Sequence, residues 1–414
     1  MRSVLKHFRN DPLPGLAGAT AAAGMVSIGA CHTLLGLSLG ALLIRRKQFR
    51  MTPYWPAIAV FMAATVASAL VNGHFREGWP QIRKFYVWAM LPVVYSGLRT
   101  AWQARQTLIA MAVGGTASAA WGMVQFYRKY EQAVASGVPF YQSYVGSRIT
   151  GFTSHWQTFA GDMMLAFLIV TALLLALNPL LLALNPKWRW AAVGSLVLLG
   201  LALLLGFTRS IWPATAAGLI VLLWHWRPIA VLSLPVLAGV TIVAAPEPLH
   251  SRIVSLWKPN AALDSNEHRA VLRRTGIAMA GDHPLFGVGP EEVQRHFEEY
   301  YPADAPHPVP TEWYTKHLHN TYIHYAAERG IVAMLGLVSF VLLAWWRMLS
   351  ALRGQAMNPD RRFVLLVAAA AVPGILVGGW WEVNLGDSEV LGCFLAILAC
   401  GFVAADEPEQ PVSN

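Results

Sequence analysis

The chain has 414 residues, 56% hydrophobic and only 13% charged, with 17 Trp and a mean hydropathy of +0.45. A soluble domain is roughly 25% charged, so disorder, a collagen-like fibre and a small disulfide scaffold are excluded. The formal charge of +9 has to be weighed against membrane sidedness before nucleic acid is considered.

A membrane-crossing helix needs about 20 apolar residues. Runs of that kind stand at 13–29, 30–44, 54–71, 83–98, 106–124, 156–177, 189–207, 211–225, 228–245, 321–346, 363–381 and 388–405. They predict an all-α polytopic membrane protein with about twelve transmembrane helices. Counting from a cytoplasmic N-terminus puts Arg2, Lys6 and Arg9, then Arg45, Arg46, Lys47 and Arg50, in short inner segments. Arg99 and Arg105, Lys187 and Arg189, Arg227, and Arg347, Arg353, Arg361 and Arg362 follow on the same side. Short basic loops stay inside, so sidedness explains the charge, both termini are cytoplasmic and no nucleic-acid partner is expected.

The organisation that results is 1–245, nine spans with an outer loop near 125–155; 246–320, a large, partly helical outer loop between the ninth and tenth spans; 321–405, the last three spans; and 406–414, a polar tail. Within the large loop 266–281 reads as a helix, opened by a capping box of Asp264 and Glu267 and closed by Gly281. The hexapeptide Leu-Leu-Ala-Leu-Asn-Pro occurs at 174–179 and again at 181–186 and receives no function. Cys31, Cys393 and Cys400 lie in apolar runs and form no CxxC pair, so they read as small buried residues.

Ionisable groups close to hydrocarbon are costly and tend to be functional, and four clusters sit at outer helix ends. Arg148 precedes the sixth span, where Ser154 and Gln157 make a capping-box pattern. Arg209, in Thr208-Arg209-Ser210, breaks a long apolar stretch, with Ser210 as the expected N-cap and Pro213 in the first turn. An anion ligand and a snorkelling structural Arg are the two readings of it. Arg269 and Arg273 are i,i+4 and share one helix face, which suits either solvent or a pyrophosphate held bidentately. His317, His319 and Asn320 lie where the large loop re-enters the membrane. The His-x-His spacing invites zinc, but no Cys is near and carboxylates at ligand spacing are few, so no metal is expected. A boundary His can serve as a base near neutral pH. Glu382 and Asp387, by the eleventh span, are weaker candidates for cations or sugars.

In these elements the chain resembles the O-antigen ligases of the Gram-negative inner membrane, within the O-antigen ligase and polymerase superfamily. His319-Asn320, nine residues, then Gly330 resembles the ligase signature H[NSQ]-x9-G-x-x-[GTY], from which Ala333 departs at the last place. Thr208-Arg209-Ser210 and Arg269, followed by Asp282-His283-Pro284-Leu285-Phe286-Gly287-Val288-Gly289, resemble two further family elements. The likeness covers about 145–335 by motif and the remainder by topology.

The resemblance implies a GT-C-like glycosyltransferase that needs no cofactor, moving polysaccharide from undecaprenyl pyrophosphate onto a lipid A-core sugar at the periplasmic face. On this reading His319 is the base and Arg209 and Arg269 stabilise the departing pyrophosphate. Arg148, Arg273, His317 and Asn320 bind or orient substrate. The partners are the lipid-linked donor, the lipid A-core acceptor and membrane lipids, and a monomer is expected. An O-antigen polymerase, or a protein O-oligosaccharyltransferase using the same donor, is the alternative.

Overall fold

The computed structural model describes residues 11–45, 48–176, 186–255, 266–354 and 357–407. Arg2, Lys6, Arg9, Arg46, Lys47, most of the duplicated hexapeptide, Asp264 of the expected capping box and the tail from 408 lie outside them.

Among the described residues the elements are helices and there is no strand. They are α1 (Leu13–Ala23), α2 (Ile28–Ile44), α3 (Trp55–Val71), α4 (Phe75–Arg83), α5 (Met90–Gly97), α6 (Ala101–Ser136), α7 (Phe140–Val145), α8 (Trp156–Ala176) and α9 (Pro186–Leu205). Then come α10 (Ile211–Trp226), α11 (Ser233–Ala244), α12 (Glu247–Val254), α13 (Asn266–Asp282), α14 (Thr321–Arg329), α15 (Ile331–Ala351), α16 (Pro359–Gly378) and α17 (Ser388–Asp406). Six of them, α6, α8, α9, α15, α16 and α17, are long and apolar enough to cross a membrane, and five shorter apolar helices accompany them. The chain is a multi-pass membrane protein.

Local chemistry fixes the helix ends. Thr100 caps α6 by accepting from the Gln103 amide, and Gly137, at φ +67, ends it. Asn358 accepts from the Asp360 amide to start α16, and Asp387 accepts from the Glu389 and Val390 amides to start α17. Helices α8, α16 and α17 form the buried centre of the bundle and pack on one another. Runs of small residues such as Ala368–Ala371 on α16 let backbones approach closely there. At the opposite extreme, α11 has no buried residue.

Four apolar runs depart from single regular spans, the ninth by opening with a 3-10 stretch at Pro228–Leu232 before α11. The fourth divides into α4, a 3-10 stretch at Lys84–Ala89, and α5. Pro92 occupies the first turn of α5, where a missing amide is tolerated, and so marks a fresh helix start. The fifth continues as α6 to Ser136, past the expected end at 124. The tenth breaks at Gly330, whose φ of +89 turns α14 into α15. A Cβ at Gly330 would collide with the Leu285 carbonyl, and one at Gly287 would meet the backbone of Ala327 and Glu328. This close approach seats the 284–289 strip on α14, joined by Val288 N–H to Ala327 O (2.8 Å), Gly289 N–H to Glu328 O (3.0 Å) and Ile331 N–H to Pro284 O (2.8 Å). The strip, α13 and α14 share a second hydrophobic core around Leu272, Met279, Phe297 and Leu318. Asn72, just past α3, reaches over to the Gly287 carbonyl (3.2 Å) and ties this small subdomain to the bundle.

Candidate active site

The site is assembled where α14 begins and α16 ends. Thr321 N–H donates to the Gly379 carbonyl (2.7 Å), Thr321 Oγ1 to the Glu382 carbonyl (2.8 Å) and Asn320 Nδ2 to the Trp380 carbonyl (2.9 Å). These bonds bind the loop after α16 to the first turn of α14. Asn320 Oδ1 also accepts from the Tyr322 and Ile323 amides, each at 3.0 Å, and so caps α14. His319 stands just before this cap with φ +47, in the left-handed region.

Glu382 is the centre of the arrangement, with its side chain 8% exposed. Its Oε1 accepts from Arg269 (2.5 Å) and Ser210 (3.5 Å). Its Oε2 accepts from Gln157 Nε2 (2.6 Å) and His319 Nδ1 (3.0 Å). Four separate elements therefore converge on one carboxylate. Burial would raise its pKa, but Arg269 and the hydrogen bonds from His319 and Gln157 outweigh burial and hold it below the ordinary value. An ionised carboxylate only accepts, so His319 Nδ1 carries the proton of this bond. His268 stands beside this pair, stacked on Trp313 with centroids 5.2 Å apart and edge-on to His319 at 6.3 Å.

Positive charge surrounds the carboxylate. Arg209 is buried and donates to Ser255 O (2.9 Å), Ser255 Oγ (2.8 Å) and Asn266 Oδ1 (2.9 Å). Asn266 lies one turn before Arg269 on α13, so Arg209 braces the helix that delivers Arg269. Buried Arg252 donates to the Phe207 carbonyl (3.0 Å), and Phe207, at φ +49, immediately precedes Thr208-Arg209-Ser210. Arg148 lies over the Trp156 ring at 5.3 Å and donates to the Val145 carbonyl (3.0 Å). Burial, with the like charges of Arg252 and Arg269, lowers its pKa to about 9. Arg273 is half-buried on α13.

A cavity of about 470 Å³ opens beside this centre, lined by His319, Glu382, His317, Lys84, Asp387 and Glu389 among others. Lys84 donates to the Gly386 carbonyl (2.9 Å) and Thr158 to Asp387 (2.5 Å), which fixes the far wall. Among the described residues no three His, Cys, Asp or Glu side chains are grouped as metal ligands.

The structure thus brings His319 and Arg269 together on Glu382. It places Arg209 behind them, engaged with Ser255 and Asn266 rather than lining the cavity. His317 lines the cavity but makes no bond to His319; its ring meets His324 edge-on at 5.2 Å. Asn320 is a helix cap with a buried side chain, not a cavity residue. Two other expected caps are diverted to Glu382: Ser210 makes no cap bond, and Gln157 sends its amide to the carboxylate. Gly281, expected past the end of its helix, lies within α13. The sequence marked Glu382 only as a weak ligand candidate and passed over Arg252. Both are lone charges beside apolar runs, and only long-range packing shows their partners.

Residues 194–338 match the family model described as O-Antigen ligase. The matched stretch includes Arg209, Arg252, Arg269, His319 and Gly330, and leaves out Gln157 and Glu382. No curated protein matches the chain.

Proposed function

On the premise that the chain carries an O-antigen ligase superfamily domain over residues 194–338, we propose that it ligates O-antigen polysaccharide from undecaprenyl pyrophosphate onto a lipid A-core sugar. The reaction takes place at the periplasmic face of the inner membrane, with both termini cytoplasmic, about twelve spans and a single copy of the chain as the working unit. The observation that carries this reading is His319 and Glu382 lining a cavity beside the ends of membrane helices, with Arg269 paired to Glu382 behind them.

The acceptor hydroxyl oxygen attacks the anomeric carbon from the face opposite the pyrophosphate. Its proton passes to His319 Nε2, and the C–O electron pair leaves with the pyrophosphate, so the anomeric centre inverts. Glu382 fixes the His319 tautomer and stabilises the imidazolium as it forms. Arg269, with Arg273 on the same helix face, meets charge that develops on the leaving group, an effect largest in the transition state. With this cationic clamp the transfer runs without a metal. Arg209 is a positioning residue that holds the start of α13 and adds to the local positive field. His317 touches sugar within the cavity.

The test is the lipopolysaccharide profile of a strain lacking the gene, complemented with wild type or with His319→Ala. Core without O-antigen, accumulated lipid-linked polymer and failure of His319→Ala to restore the profile are expected. Core bearing single repeat units would assign polymerisation instead, and an unchanged profile would reject both activities.

A further inference from the structure

A second concavity of about 370 Å³ adjoins the first and shares Ser154 with it. Arg128, Lys129, Gln132 and Arg148 line it, together with Gln125 and Trp156, and no carboxylate does. The run from 106 to 127 on α6 is free of charge, and at 1.5 Å per residue it fills roughly 30 Å of hydrocarbon. Arg128 and Lys129 therefore stand where α6 leaves the membrane, and the helix carries one wall of the groove onward to Ser136. The facing wall is preformed. Gln125 Oε1 accepts from the Thr150 and Gly151 amides, each at 2.9 Å, and Gln125 Nε2 donates to the Gly151 carbonyl (3.1 Å). Lys129 Nζ donates to Ser147 Oγ (2.7 Å) and bridges the two walls.

The lining of this groove holds no carboxylate to offset its charge. Among the described residues, ion pairs form at several other Arg side chains, Arg269 and Arg274 included, but not at Arg128, Lys129 or Arg148. Burial and the cations of Arg252 and Arg269 press on Arg148, and Glu382, from outside the groove, offsets part of that. Three cations with hydroxyls, two amides and an indole are the chemistry that recognises a sugar bearing phosphate or carboxylate.

We propose that the groove between α6 and the 146–156 loop binds an anionic sugar of one of the two glycan substrates, as a subsite continuous with the catalytic cavity through Ser154. Assigning the anion to a glycan rests on the glycosyl-transfer reading; the binding of a sugar anion by the groove does not. Either the donor polysaccharide or the acceptor core can supply such a group, and both present the same chemistry to Arg128, Lys129 and Arg148.

The experiment measures binding of glucose 6-phosphate, galacturonate and uncharged glucose to the full chain in phosphatidylcholine nanodiscs. Wild type is expected to bind both anions saturably and glucose not at all. Arg128→Glu with Lys129→Glu should weaken anion binding by about tenfold for each charge-assisted hydrogen bond removed, while His319→Ala binds as wild type does. A rise in the acceptor KM in the double variant then identifies the acceptor as the source, and a rise in the donor KM identifies the donor. Anion binding at the groove in a protein without transfer activity would leave the subsite standing and reject the glycosyl-transfer reading. Equal affinities in wild type and double variant, or abolished sugar-phosphate binding in phosphatidylglycerol nanodiscs, would overturn the proposal, the latter by making the groove a lipid-headgroup site.

Discussion

His319 holds a left-handed backbone, at φ +47, that costs a non-glycine residue about 1–3 kcal/mol. The Asn320 cap and the Glu382 hydrogen bond offset that cost and aim the imidazole. Replacing Glu382 by Gln removes the negative partner of both His319 and Arg269. We expect kcat to fall on the order of 10²-fold with KM little changed, checked by steady-state transfer with purified protein; Glu382→Asp should recover part of it. The same residue governs acid stability. Its native pKa lies below the ordinary value of 4.5, so its contribution is full at neutral pH and above 4.5. It is lost as pH drops through the native value. Thermal unfolding against pH should show this acid limb in wild type and a flatter one in Glu382→Gln. Arg269→Ala takes the arginine from buried Glu382 and leaves it only His319, Gln157 and Ser210, a loss of up to about 3 kcal/mol for a pair of this kind. Thermal unfolding should register that loss, and Arg269→Lys should recover the stability better than the turnover, because an ammonium lacks the guanidinium fork.

At the scale of elements, the signature histidine, asparagine and glycine act as one device. Asn320 starts α14, Gly330 ends it, and the 284–289 strip packs across it. Asn320→Ala should cost about 1 kcal/mol through removal of the cap, with Asn320→Asp restoring most of it. Gly330→Ala should cost more, since it adds a collision with Leu285 to a φ of +89, and its effect should be read as a lowered unfolding midpoint. Ala333, the departure from the signature, is fully buried on α15, which packs against α3. Helix existence was legible from apolar runs, and the caps at Thr100, Asn358 and Asp387 follow ordinary chemistry. The caps assigned to Ser154 with Gln157 and to Ser210 were not, because Glu382, far away in sequence, takes the side chains of Gln157 and Ser210. Local pattern does not encode such competition, and it was equally silent on the break at Gly330, where tertiary packing against Leu285 decides the turn.

Across the molecule, composition alone identified a membrane protein, and each described apolar run is mainly helical. The clustering of Arg148, Arg209, Arg252 and Arg269 at one end of the bundle was legible only in part, since their spacing in sequence exceeds 100 residues from first to last. Single unpaired-looking charges in the sequence become a shared field once α8 packs on α10, α13 packs on α14, and Glu382 draws side chains from both pairs. The family match covers about a third of the chain, yet Glu382 and Gln157, which complete the site, come from outside it. The most direct test of the account is glycan transfer by purified protein in liposomes, with undecaprenyl-pyrophosphate-linked polysaccharide as donor and lipid A-core as acceptor, run with a chelator present. Wild type should form polymer-bearing lipid A-core of inverted linkage, and His319→Ala should lose about 10²–10⁴-fold in rate. Retained linkage, or a His319→Ala protein as active as wild type, would contradict it.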